Sequence, residues 1–285
     1  MDLCDLSVIR PLLEAHGFRF SKSMGQNFLI QDWVPKRILS VAGIDRDCGV
    51  LEIGPGIGVL TQELCSVAGE VVSVELDRSL LPVLEETLSG YQNIRVINDD
   101  ILKVDIPALV ESVFPGLRPV VCANLPYNIT TPVLRSLLSS RLFSRVTVMV
   151  QKEVARRICA KPGTADYGAF TLFAACYSRP RIQFDVTPDC FYPQPKVTSS
   201  VVTLDRADLP VPGKDMDFLL SITRAAFGQR RKTLVNALSP LFGDRLSKND
   251  IQEVVTACGF EKQVRGETLS LEDYVRLMNG FQQYR

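Results

Sequence analysis

Short apolar blocks recur along the first half of the chain, each closed by turn or polar residues. Val50-Leu51-Glu52-Ile53 is such a block with one acid inside it, and Val71-Val72-Ser73-Val74 and Pro119-Val120-Val121-Cys122-Ala123 are further blocks without one. Blocks of this length predict buried strands. Ile94-Arg95-Val96-Ile97, running into Asn98-Asp99-Asp100, and Arg145-Val146-Thr147-Val148-Met149-Val150-Gln151 predict two more. Between them the spacing becomes helical: toward Leu64, from Glu75 to about Leu88, around 106–113, and from Thr131-Pro132, where an early proline is tolerated. Residues 6–16 predict a short helix, and Asp32 is a plausible N-cap for another ending near Gly43. Strands alternating with helices predict an α/β fold, a mostly parallel sheet with helices on both faces.

The pattern changes beyond residue 165. Residues 180–186 and 197–204 predict antiparallel strands around the turn Phe191-Tyr192-Pro193-Gln194-Pro195. Asp208 to Asp215 contains two prolines and a glycine and predicts a linker. The remainder predicts helices alone, at 216–227, 230–240, 248–258 and 270–281. Two domains are expected, an α/β domain over 1–210 and a small all-α domain over 211–285.

Composition narrows the classes. With 285 residues and 46% hydrophobic content, the chain can build one large core and a smaller second one. No apolar run approaches the roughly 18 residues of a membrane span, and the acidic start, Met1-Asp2-Leu3-Cys4-Asp5, argues against a secretory signal. Eight scattered cysteines without a C-x-x-C pair fit reduced, buried thiols and a cytoplasmic location. The single histidine, His16, excludes a His-rich metal site and argues against a Ser-His triad, so no metal is expected. His16 itself reads as a surface helix residue.

Charge is balanced overall but unevenly distributed. Residues 45–115 hold 13 acidic and 4 basic side chains, whereas residues 135–236 hold 16 basic and 8 acidic ones. The acidic half suits a cationic or zwitterionic ligand, and the basic half can present a face to a polyanion.

The densest chemistry lies where the predicted strands end. Gly54-Pro55-Gly56-Ile57-Gly58 places glycines at alternate positions, where positive φ and close ligand approach are possible. The spacing is G-x-G-x-G rather than the G-x-G-x-x-G of a pyrophosphate turn, and Glu52 disfavours phosphate. About 20 residues on, Glu75 ends a strand where a carboxylate accepts hydrogen bonds from ribose hydroxyls. Asn124-Leu125-Pro126-Tyr127 comes directly after another strand. An adenine amine is a poor nucleophile because its lone pair is delocalised into the ring. The Asn124 side-chain oxygen and the Leu125 carbonyl are placed to accept its two N–H bonds. Pro126 presets the turn, and Tyr127 can stack on a base, worth about 1–3 kcal/mol. The plainer alternative is an Asn-Pro turn with a core tyrosine.

The Gly-rich turn resembles motif I of the S-adenosylmethionine-dependent methyltransferases. Asn124-Leu125-Pro126-Tyr127-Asn128-Ile129 resembles motif IV of the ribosomal RNA adenine N6,N6-dimethyltransferases. Gly25-Gln26-Asn27-Phe28-Leu29, Gln151-Lys152-Glu153-Val154-Ala155-Arg156-Arg157, Tyr167-Gly168, Phe191-Tyr192-Pro193-Gln194-Pro195-Lys196-Val197 and Ala226-Phe227-Gly228-Gln229-Arg230-Arg231-Lys232-Thr233-Leu234 are similar to further motifs of that family, in its order. The resemblance implies a Rossmann-like class I methyltransferase domain with a helical C-terminal domain. It implies S-adenosyl-L-methionine as cofactor, with Asn27 and Leu29 folding over it, Gly54 near its methionine part, Glu75 on the ribose, Asp100 on the adenine amine and Asn124 near the methyl group. For Asp100 a solvated helix cap is the competing reading. Phe191 is expected to cover the second face of the target base, against the alternative of a core phenylalanine beside a Pro-rich turn. Many relatives carry a larger basic or aromatic residue where Met24 stands, a departure that bears on an RNA contact.

The implied reaction is dimethylation of two adjacent adenines near the 3′ end of small-subunit ribosomal RNA, within a ribosomal assembly intermediate and by a monomer. Arg156-Arg157 and Arg230-Arg231-Lys232 are candidate phosphate contacts, against the alternative of solvated helix faces. Two rivals remain. Methyltransferases of DNA adenine or protein glutamine usually carry D-P-P-Y or N-P-P-Y, and Leu125 argues against them. A non-catalytic assembly or transcription factor would not need Glu75, Asn124 and Tyr127 intact.

Overall fold

The computed structural model describes residues 1–20, 25–243 and 245–285. The chain opens with helix α1 (Leu6–Ala15), a two-residue strand β1 (Phe28–Leu29) and helix α2 (Trp33–Ala42). It then alternates through β2 (Cys48–Ile53), α3 (Val59–Val67), β3 (Glu70–Glu75), α4 (Leu81–Thr87), β4 (Ile94–Asn98), α5 (Ile106–Val113), β5 (Arg118–Asn124), α6 (Thr130–Ser140) and β6 (Arg145–Gln151). Helices α7 (Lys152–Ile158) and α8 (Ala169–Tyr177) come next, then β7 (Ser178–Val186), a two-residue β8 (Phe191–Tyr192) and β9 (Ser199–Arg206). The chain ends in α9 (Met216–Gly228), α10 (Leu234–Phe242), α11 (Lys248–Ala257) and α12 (Leu271–Gly280).

Seven strands form one sheet in the order β4-β3-β2-β5-β6-β9-β7. The pairs β2–β3, β2–β5, β3–β4 and β5–β6 are parallel, and β9 runs antiparallel to β6. Every residue of β2 is buried. A strand covered on both faces needs no polar side, which is why Val50-Leu51-Glu52-Ile53 reads as a continuous block rather than an alternation. Strand order reverses between β2 and β5: the chain first builds outward through β3 and β4, then returns to the other side of β2. The loops leaving β2 and β5 therefore diverge from a crevice at the carboxyl edge, where ligands bind in open sheets of this kind.

The chain divides into two compact units, one of residues 1–155 and 179–206, the other of residues 156–178 and 207–285. The first holds the sheet. In the second, Phe242 stacks on Phe281 with ring centroids 4.5 Å apart, and Tyr274, Leu277, Leu238 and Ile222 are fully buried. Helices α11 and α12 each start on a capping box. The Ser247 and Ser270 hydroxyls accept from the N–H groups of Asp250 and Asp273, whose carboxylates accept from the serine N–H groups in return.

Several local expectations are corrected. Asp32 makes no cap bond; its carboxylate instead takes the Lys36 ammonium at 2.7 Å, one turn along α2. Helix α10 starts at Leu234 rather than at 230, because residues 229–232 form a turn. Helix α8, apolar nearly all round, gives no helical period from which to predict it. Residues 156–178 cluster with the C-terminal helices, whereas the sequence pattern puts them before a boundary at 210. His16 stands at the C-cap of α1, its Nε2 lying 2.8 Å from Glu86 Oε2 in an exposed contact.

Candidate active site

The Gly-rich turn links the end of β2 to the start of α3. Its three glycines all take positive φ, +69° at Gly54, +61° at Gly56 and +95° at Gly58, a region that side-chain-bearing residues avoid. A Cβ on Gly56 would fall 3.1 Å from the Phe28 ring, so the turn also lets β1 approach.

Two acids lie under this turn. Glu52 is 1% exposed, and one carboxylate oxygen accepts from the Thr61 hydroxyl at 2.7 Å and the Ser73 hydroxyl at 2.6 Å. Those bonds tie β2 to α3 and β3. Glu75 ends β3 and accepts from the Asp77 N–H at 2.7 Å, with backbone N–H groups of Gly56 and Leu76 adding to its support. Burial pushes both carboxyls up to about 7, the negative charge of Asp77 adding to the effect at Glu75.

The β4 end is joined to the β3 end by Asn98, whose side-chain amide donates to the Glu75 carbonyl at 2.8 Å. Asp99 and Asp100 come next. Asp100 accepts from the Leu102 N–H at 3.0 Å, the local turn-capping bond that its competing reading anticipates, and also lines the pocket.

Asn124 is the last residue of β5. The Leu125 N–H donates to the Met149 carbonyl at 3.1 Å, which continues the β5–β6 ladder past the strand and orients the turn. The Thr130 hydroxyl donates to the Pro126 carbonyl at 3.1 Å. Tyr127 is half-buried, its hydroxyl 2.7 Å from Ser199 Oγ, and burial raises its pKa.

The crevice is closed by two segments far apart in sequence. Phe28 pairs with Tyr192 and Leu29 with Phe191, so β1 and β8 form a small antiparallel sheet. Phe191 is 1% exposed and belongs to the core while also lining the pocket. The Asn27 side chain donates to the Gly25 carbonyl at 2.9 Å, and the Gln26 side chain donates to Asp77 at 2.6 Å, beside Glu75. Met24 lies outside the described residues.

One pocket thus brings together Asn27, Leu29, Gly54, Glu75, Asp100, Asn124, Leu125, Pro126, Tyr127 and Phe191, all within the first unit. Among its described lining residues are four acids (Glu52, Glu75, Asp99 and Asp100) and no Lys, Arg or His. A pocket with that donor set suits a ribonucleoside carrying positive charge and disfavours a phosphate. It therefore fits S-adenosylmethionine, whose sulfur is cationic. Gln26 falls in one of the family-like segments and Ser199 in none; the hydrogen-bond partner of each, more than 50 residues away, has no signature in the sequence.

The five candidate cations belong to the second unit. Arg156 and Arg157 are exposed on α7. Arg230, Arg231 and Lys232 lie on the α9–α10 turn, so a solvated helix face does not describe them. Arg230 is engaged within its own unit: its guanidinium meets Glu267 at 2.6 Å and donates to the carbonyls of Ala165 and Thr164 at 2.7 and 2.9 Å. Arg231 and Lys232 are exposed.

The sequence model of the family described as Ribosomal RNA adenine dimethylase matches residues 17–282. A ribosomal RNA small subunit methyltransferase A from Alkaliphilus oremlandii is 45% identical over 273 residues, covering 95% of this chain and 94% of the relative. One from Streptococcus thermophilus is 42% identical over 287 residues, covering 99% of each. Among solved structures, a dimethyladenosine transferase from Plasmodium falciparum superposes with a TM-score of 0.77 at 25% identity, covering 90% of this chain and 98% of that one. The 23S rRNA methyltransferase ErmE superposes with a TM-score of 0.69 at 27% identity, covering 90% and 100%. With residues 17–282 matched by that family's model and relatives more than 40% identical over nearly its whole length, the chain belongs to the ribosomal RNA adenine dimethylase family.

Proposed function

We propose that this protein dimethylates the N6 amines of two adjacent adenines near the 3′ end of small-subunit ribosomal RNA, with S-adenosylmethionine as methyl donor. The observation that carries the reading is the single crevice shared by the glycine turn, Glu75 and Asn124-Leu125-Pro126-Tyr127, with no cation among its described lining residues. The small-subunit target rests on the names of relatives more than 40% identical over nearly the whole chain.

When bound, S-adenosylmethionine supplies an electrophilic methyl group on a cationic sulfur. Glu75 would take the ribose hydroxyls as a charged acceptor. Gly54 would leave its backbone open to the methionine part, Asn27 and Leu29 would cover the cofactor, and Asp100 would accept from its adenine amine. The target adenine leaves its stack to enter. Asn124 Oδ1 and the Leu125 carbonyl accept its two N–H bonds, which draws the nitrogen toward tetrahedral geometry and localises its lone pair. Tyr127 and Phe191 take the two faces of the base. No side chain need remove a proton before attack, and the work is mainly positioning.

Arg231 and Lys232, with Arg156 and Arg157, are the proposed phosphate contacts; Arg230 supports the turn that presents the first two. We place the reaction in the cytoplasm, on a ribosomal assembly intermediate recognised by RNA shape, and read the protein as a monomer. No described helix is long and apolar enough to cross a membrane.

Incubating the purified protein and labelled cofactor with under-methylated small subunits, then analysing the RNA by mass spectrometry, tests the reading. N6,N6-dimethyladenosine at two neighbouring positions is expected. Label in a different nucleoside, or in large-subunit RNA alone, would overturn it.

A further inference from the structure

Tyr127 is held at both ends of its side chain. At the backbone end, Pro126 fixes its own φ, the Thr130 hydroxyl holds the Pro126 carbonyl at 3.1 Å, and the Leu125 N–H is bound to Met149 at 3.1 Å. At the far end, the phenol hydroxyl lies 2.7 Å from Ser199 Oγ. Ser199 is 0% exposed and is the first residue of β9, in register with Gln151 of β6. The residue before it is fixed as well, because the Thr198 carbonyl accepts from the Lys152 N–H at 2.9 Å. Ser199 therefore has little freedom to move with the ring; the ring must adjust to Ser199.

We propose that Ser199 is a positioning residue that pins the far end of the Tyr127 ring, and that this hold matters most for the second of the two methyl transfers to each adenine. The inference rests on the reading of Tyr127 as the stacking partner of the target base. An unmodified adenine amine offers two N–H bonds, so Asn124 Oδ1 and the Leu125 carbonyl orient it from both sides. Each transfer forms one N6–methyl bond, breaks one methyl–sulfur bond and releases one proton from the amine. The monomethylated amine has a single N–H left, and one of the two acceptors loses its partner. The orientation that acceptor supplied must then come from stacking. A ring free to rock would serve the first transfer adequately and the second poorly.

The experiment tracks both transfers on under-methylated small subunits by mass spectrometry, for wild type, Ser199→Ala, Tyr127→Phe and the double variant. Either single variant is expected to accumulate monomethyladenosine, with the ratio of second to first rate falling about three- to tenfold, the scale of one net hydrogen bond. The double variant should match the singles, since both remove the same bond. A general packing defect would slow both transfers together and leave the ratio unchanged. An unchanged ratio in both singles, or effects that multiply in the double variant, would overturn the proposal. Should Ser199→Ala fail to fold, Tyr127→Phe decides alone: a wild-type ratio there overturns it. Absence of any methyladenosine with the wild-type protein would instead sink the activity itself, and the inference with it.

Discussion

The strand-end pocket and the Arg230 turn are equally conspicuous in the sequence, yet their polar groups are used differently. Glu75 leans on backbone N–H groups and still lines an open crevice. Arg230, the first of three adjacent cations, is occupied by Glu267 and two backbone carbonyls. A motif tells which residue types stand at a position, not where their hydrogen bonds go. Partners far along the chain decide whether a charged group is left for a ligand or serves the fold.

The largest expected effect breaks the pocket side of that contrast. Asn124→Ala removes the acceptor that orients the target amine and leaves the glycine turn and the cations untouched. Methyl transfer should fall by about 100- to 1000-fold, the cost of one well-placed polar group, while binding to immature small subunits in a pelleting assay stays near wild type, since phosphates supply most of that affinity. Loss of binding in parallel with transfer would mean that the pocket and the RNA surface are not separable.

Next comes the pocket's response to pH. Glu75 is raised to about 7 by burial, so the empty site is largely protonated below that value. Ribose hydroxyls bind best to the ionised form, so affinity should be present above about 7 and lost as pH falls through it. Adenosine carries no titrating group of its own in this range and serves as probe. Calorimetry from pH 8 to pH 6 should find a loss of about tenfold, and Glu75→Gln should flatten the curve at the weaker affinity. A pH-independent wild type would mean that Glu75 does not meet the ribose.

The cation side gives two smaller, opposed effects. Arg230→Ala should destabilise the protein by about 1 kcal/mol, the upper end for an exposed ion pair with its accompanying hydrogen bonds, seen as a lower thermal midpoint. Arg231→Ala with Lys232→Ala should leave stability within about 0.5 kcal/mol and lower the salt slope of RNA binding by about 2, one for each lost phosphate contact. The reverse pattern, with Arg230 governing the slope and the other two governing stability, would erase the contrast.

Much of the site was legible because the sheet's buried strands are unbroken apolar blocks, and the residues just after each block stand at the carboxyl edge. Gly54, Glu75, Asp100 and Asn124 could all be placed at strand ends in this way. Their gathering into one crevice depends on strand order, which no single stretch of sequence carries. The pairing of Leu29 with Phe191 was not legible either, since two-residue strands have no period. Helix α8 buries nearly every side chain and so loses the amphipathic signal by which helices are predicted. Ser199 and Gln26 reach partners 72 and 51 residues away, contacts that become visible only once the sheet is assembled.

The most direct test of the central claim is to measure both quantities in one preparation: labelled methyl transfer to under-methylated small subunits, and binding to them, for wild type and Asn124→Ala. Wild type should convert two neighbouring adenines to N6,N6-dimethyladenosine, and the variant should bind almost as well while transferring at most about one hundredth as fast. Near-normal transfer by Asn124→Ala would contradict the mechanism, and binding without transfer by wild type would make the protein a non-catalytic member of its family.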